Sequence, residues 1–247
     1  MKNIIDIIIL SLAIDENTFL KTKKCVDSYL KTADDLIGKI YVVESNENFN
    51  NSYGNKKVEI IKPGGKFNYN KFFNIALERC KSKYIMGPNN DLEIQPNCIQ
   101  TLINEMENNE NISSLCPIDR EWHRHTKMYL PNDNKLYFGY DVSLHMFGCV
   151  FCCKRDVFSK IGLLDEKFYF FYQDNDYVMC LERNNLLHGV HTGARVTHKS
   201  GGTDNIAPDH CKYTPKNMNE QGDILVNKWN SEPFKSGGFK KFKEYNL

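Results

Sequence analysis

The 247-residue chain has almost no net charge, no long apolar run, no internal repeat and no disulfide spacing. Lys and Arg number 32 against 31 Asp and Glu, so no global field draws it to nucleic acid or an anionic membrane. No apolar stretch approaches the ~18 residues needed to cross a bilayer. Asp6 interrupts the apolar opening, residues 1–10, and no small-residue cleavage site follows. These residues therefore read as a buried first strand rather than a signal peptide. The nine cysteines fall in segments that read as strands and helices, and Cys149-x-x-Cys152 has no second pair at zinc spacing. Buried free thiols, and with them a reducing cytoplasm, are the expectation. His123, His125, His145, His188, His191 and His210 show no metal-ligand spacing either.

What is present is an alternation of strand and helix patterns. Residues 4–12 form a continuous β-branched run, as in a strand covered on both faces. Residues 18–31 carry Phe19, Val26 and Leu30 on one helical face. Residues 39–45 and 58–61 read as strands, and Pro63-Gly64-Gly65 breaks the pattern. A helix over 70–80 follows, then a strand over 84–86, then a helix opened by Pro96. Four alternations in about 105 residues predict an α/β fold: one domain with a mostly parallel central sheet and helices on both faces. Ligands in such sheets bind at the carboxyl ends of the strands, where Glu44 and Asp91 both fall. Residues 117–144 read as a long functional loop, 145–154 as a strand, 155–161 and 175–184 as helices, and 190–198 as a last strand. Three parts follow: a regular first half over 1–105, a less regular second half over 106–215, and a tail over 216–247.

Three groups of residues have the chemistry of a site. Asn89-Asn90-Asp91 follows an apolar strand directly, where a carboxylate can ligate Mg2+ or Mn2+ and leave positions for diphosphate oxygens. The same three residues also suit a plain turn. Gln173-Asp174-Asn175-Asp176 follows an aromatic run, which would raise a carboxyl pKa and suit a general base. Asp174 and Asp176 equally suit the cap and first turn of a helix. His198 ends the last strand, ahead of Gly201-Gly202.

In this order the pieces resemble glycosyltransferase family 2, the inverting enzymes of the Rossmann-like GT-A fold, and in particular its rhamnosyltransferase-like branch. YIMGPNNDLEIQPNCI is similar to that family's strand, metal motif and Pro-initiated helix. GCVFCCKRDVFSKIGLLDEKFYFFYQDNDYVMCLERNN resembles its second signature, and VTHKSGGT its terminal strand and histidine. The resemblance covers residues 4–204. It implies a metal-dependent hexosyl transfer from a nucleotide-sugar donor to a hydroxyl-bearing acceptor. Asp91 would be the main ligand of Mn2+ or Mg2+, with Asn89 a weaker contact and His198 completing the site. Glu44 would lie near the nucleoside, and Lys71, Asn74 and Asn90 near the diphosphate or sugar. Asp174 would deprotonate the acceptor, with Gln173 beside it where the family often has Glu, and Asp176 as a secondary candidate.

Two other readings have support. A metal-dependent nucleotidyltransferase would also use an Asp-bound cation, but Ser11 to Asp15 lack its Gly-rich basic loop. A catalytically weak nucleotide- or sugar-binding relic fits Asn89 and Gln173, and is opposed by Asp91, Asp174 and His198 occurring together. The acceptor stays open among a glycan, a glycolipid, a protein and a modified base. The basic-aromatic end, residues 234–247, reads as a solvated tail.

Overall fold

The computed structural model describes residues 2–50, 52–121, 133–199 and 206–230. Strand β1 (Ile5–Ser11) is buried almost continuously, as its β-branched run requires. Its one charge, Asp6, is 2% exposed. The carboxylate accepts from the amides of Lys39, Lys81 and Ser82 at 2.8–2.9 Å and from the Ser82 hydroxyl at 2.8 Å. Asp6 thus ties the start of β2 (Ile37–Glu44) to the chain ahead of β4 (Tyr84–Pro88), at the end of the sheet remote from the strands' carboxyl ends. Helix α1 (Glu16–Ala33) starts at a reciprocal cap between Asp15 and Thr18. Strand β3 (Val58–Ile61) follows β2, and α2 (Tyr69–Leu77) is capped by Asn68.

In space these strands run β3-β2-β1-β4, all parallel. The chain moves outward from β1 to β3 and then returns to the other side of β1. With the right-handed crossovers that are the rule, opposite directions of travel put α1 and α2 on opposite faces, and the strand order reverses between β1 and β4, the position where such sheets bind ligands.

The second half is mixed. Short β5 (Leu92–Ile94) and α3 (Cys98–Asn108) precede β6 (Ile112–Ile118), β7 (Leu136–Phe138), β8 (Val150–Lys154), α4 (Val157–Ile161), α5 (Gln173–Arg183) and β9 (Leu187–His198). Strand β8 runs antiparallel to both β4 and β6, β9 is parallel to β6, and β5 and β7 run antiparallel to β9. The α/β fold is as expected, while parallel pairing belongs chiefly to its first half. Strands β5, β6 and β7 are additions to the sequence reading. Strand β6 includes Ser113, Ser114 and Pro117, yet every one of its residues is buried. The segment expected as a tail from 216 forms α6 (Pro215–Trp229), begun by Thr214 and Pro215. Residues 234–247 lie outside those described.

Candidate active site

Three strand ends carry the acids and the histidine expected of the site. At the end of β2, the buried Glu44 accepts from the Ala13 amide at 3.0 Å and the Asn46 amide at 2.9 Å, both on Oε1. It therefore joins the loops that leave β1 and β2. Past β4, the Asn89 amide bonds to the Cys149 carbonyl at 2.8 Å. The Asn90 side chain donates to Thr22 Oγ1 at 3.0 Å, which fastens the motif to α1. Asp91 is left with its carboxylate toward the end of β9, and its Oδ1 lies 3.2 Å from His198 Nε2. The pairing of β5 with β9, with Leu92 opposite His198, brings these residues together across more than a hundred positions of sequence.

His198 is held on several sides. Its Nδ1 is 3.8 Å from Cys149 Sγ, and Phe147 meets it edge-on with ring centroids 6.2 Å apart. Burial opposes a charged ring, but Asp91 and Cys149 outweigh it, and its pKa is raised to about 10. Among the described residues no three His, Cys, Asp or Glu side chains converge as a closed metal cage. The donor set of one carboxylate and one imidazole fits an open Mn2+ or Mg2+ site that keeps positions for diphosphate oxygens.

Asp174 stands on the other side of the same strand entry. Sequence reasoning makes it the cap of a helix beginning at 175. In the structure α5 begins at Gln173, its N-cap is Tyr172 in the left-handed region (φ 60°), and Asp174 is the second helical residue. The carboxylate accepts from the Asn175 amide at 2.9 Å and faces Gly148. A Cβ at Gly148 would lie 2.5 Å from Asp174 Oδ2, so glycine there leaves room for the carboxylate. Burial raises the Asp174 pKa above the ordinary carboxylate value. Gly148 and Cys149 are consecutive, and they touch Asp174 and His198 respectively. The two chemical groups therefore adjoin one dipeptide.

Asp176 is differently used. Lys228 lies 2.9 Å from its Oδ1, and Trp229 Nε1 donates to the same oxygen at 2.8 Å, fastening α5 to α6. Lys228 also reaches Asp165 at 2.8 Å. Asn74 is buried, and its amide both donates to and accepts from the Leu164 backbone, at 2.9 and 3.0 Å. Lys71 is exposed on α2. Two buried acceptors, Asn70 Oδ1 and Gln173 Oε1, have no hydrogen-bond donor among the described residues. Asn70 and Gln173 both line a small cavity with Asp174, Tyr69 and Gly148.

Asp119 is absent from the sequence reading. It follows β6 as Asp91 follows β4, and its Oδ2 accepts from the His198 amide at 2.5 Å. The signal available is an acid at a strand end, obscured because Ser113 and Ser114 disguise β6 and residues 117–144 read as one loop.

Residues 22–162 match Glycosyl transferase family 2. The chain belongs to that family. No curated protein matches the sequence. As a family 2 member it has the fold of the GT-A glycosyltransferases, and two solved structures show the likeness. S. aureus TarS 1-349 superposes with a TM-score of 0.56 at 11% identity, covering 80% of this chain and 59% of its own. GalNAc-T7, solved with UDP, GalNAc and Mn2+, superposes with a TM-score of 0.62 at 14% identity, covering 90% of this chain and 48% of its own. The family 2 chain therefore spans about half to three fifths of the length of either. No helix among its described residues is long and apolar enough to cross a membrane.

Proposed function

We propose that the chain transfers a hexosyl group from a nucleoside-diphosphate sugar to an acceptor hydroxyl, with inversion at the anomeric carbon. The observation that carries this reading is that the Asp91 and His198 pair and the half-buried Asp174 adjoin the same dipeptide, Gly148 and Cys149. Asp91 and His198, with Asn89 beside them, would hold Mn2+ or Mg2+, and GalNAc-T7 is a fold relative solved with Mn2+. A bound cation offsets the negative charge that develops on a departing nucleoside diphosphate.

Asp174 accepts the proton of the acceptor hydroxyl, whose oxygen attacks the anomeric carbon opposite the leaving group. Its raised pKa suits proton transfer. Asp176 is engaged by Lys228 and Trp229, which leaves Asp174 as the base. Among the described residues Asp174 is the one carboxylate lining its cavity, which agrees with one displacement, and hence with inversion. Asn70 Oδ1 and Gln173 Oε1, acceptors beside Asp174, favour a ligand that brings hydroxyl donors, such as a carbohydrate. Glu44 shapes the nucleoside side by holding the two loops, and Lys71 and Asn90 flank the diphosphate path. All nine cysteines are free, which agrees with a reducing cytoplasm.

The test is thermal melting of the full chain with nucleoside diphosphates and nucleotide sugars, with and without Mn2+. A ligand that binds the folded state raises the melting temperature by mass action. The expected result is a Mn2+-dependent rise with one nucleotide family, abolished by Asp91→Ala. No rise with any nucleotide would favour the binding-relic reading, and a rise that Asp91→Ala leaves intact would remove Asp91 from the site.

A further inference from the structure

Strand β9 is not a regular partner of β6 to its end. The pairing runs Cys116 to Val190 and then Ile118 to Arg195, so β9 advances five residues while β6 advances two. The surplus forms a bulge at residues 191–194, closed on itself where His191 Nδ1 accepts from the Gly193 amide at 3.0 Å and the Ala194 amide at 3.2 Å. A bulge re-aims the strand that follows it and interrupts the ladder bonds that would otherwise place its residues. The terminal segment of β9 carries His198 and pairs with the three-residue β5 on one side. On the β6 side the His198 amide is taken by a side chain, the Oδ2 of Asp119, at 2.5 Å.

Asp119 is itself well fixed. It is 2% exposed, and its Oδ1 accepts from the Glu121 amide at 2.8 Å. Its two oxygens thus receive one backbone amide from its own chain turn and one from the end of β9. A carboxylate suits both tasks because each oxygen accepts only; an Asn would turn an NH2 toward one of the two amides.

We propose that Asp119 is a positioning residue for His198, replacing the strand ladder lost at the bulge and fixing the distance between the His198 ring and Asp91. This rests on the reading of Asp91 and His198 as a cation site. Outer-shell groups of this kind typically contribute about 10–100-fold to metal affinity. Asp119 does so through the main chain of the ligand, while Cys149 and Phe147 orient the ring.

Binding of Mn2+ alone to the full chain, followed by the EPR signal of unbound Mn2+, tests it. Wild type is expected to bind and Asp91→Ala to lose binding; a wild type that binds no Mn2+ overturns the cation-site reading itself and the proposal with it. With wild-type binding present, Asp119→Asn is expected to raise the Kd about 10-fold or more. Added to His198→Ala, the same change is expected to cost less than about twofold more, since coupled residues are non-additive. An unchanged Kd in Asp119→Asn, or losses that multiply in the double variant, would overturn the positioning role alone. Should Asp119→Asn not fold, hydrogen exchange of the wild-type His198 amide decides. Slow exchange, slower again with Mn2+, supports the proposal; exchange at a loop-like rate, or one indifferent to Mn2+, overturns it.

Discussion

The two halves of the sheet place their functional groups by different means. In the parallel half, β1, β2 and β4 end side by side, and backbone pairing alone brings Ser11 opposite Glu44. In the mixed half, side chains act where ladders stop. Asn74 grips Leu164, Gln221 accepts from the Phe170 and Phe171 amides at 2.9 and 3.0 Å, and Lys228 spans Asp165 and Asp176. A regular strand end takes its position from the ladder, and side chains such as Glu44 and Asn90 fasten only the loops beyond it. An irregular one needs a buried polar group for each segment it must hold, and such groups are costly to leave unpaired.

The sharpest break in this comparison is Asp174→Asn. It should lower transfer by about 10²–10⁴-fold, the usual contribution of a general base, with nucleotide binding kept. Single-turnover transfer measured beside nucleotide titration checks this, and near-normal turnover would remove Asp174 from the base role. Gly148→Ala should follow, at about 10²-fold, because its methyl group meets Asp174 Oδ2 and displaces it by a fraction of an ångström or more. If Gly148→Ala turns over normally while Asp174→Asn does not, the space at Gly148 is not what sets the carboxylate. Gln221→Ala leaves the Phe170 and Phe171 amides without their partner and should cost about 2–3 kcal/mol in denaturant unfolding. A loss confined to a few tenths would show that the mixed half does not depend on its side-chain clamps. The smallest effect is on the pH profile. The base form of Asp174 exists above its pKa, and burial raises that pKa, so the acid limb of turnover should lie above the ordinary carboxylate range. An acid limb at the ordinary Asp value would mean that the carboxyl is solvated when it acts.

Legibility in the sequence follows the same division. Strands β1 to β4 are readable because β-branched runs bounded by turn residues need no partner to be identified. Asp91 is readable as a strand-end acid, and His198 as a strand-end histidine. Strand β5 is hidden by its three-residue length, and β6 by the polar Ser113 and Ser114, which are buried. Inside, Ser114 Oγ meets Tyr177 and His188 at 3.1 and 3.0 Å, partners that lie 63 and 74 residues away. Helix α6 reads as a tail, because it is the contacts with Asp165, Asp176 and the 170–171 backbone that give its polar Gln221 and Lys228 a place.

The amino-acid order by itself determined the α/β alternation, the acids at the ends of β2 and β4, and the free-thiol chemistry, since each depends on local pattern or composition. Tertiary structure alone decided that His198 meets Asp91, that Asp119 holds His198, and that Asp176 binds α6 while Asp174 stays beside Gly148. Those outcomes depend on strand order and on a bulge in β9, and pairing across a hundred residues leaves no periodic trace in the chain that makes it.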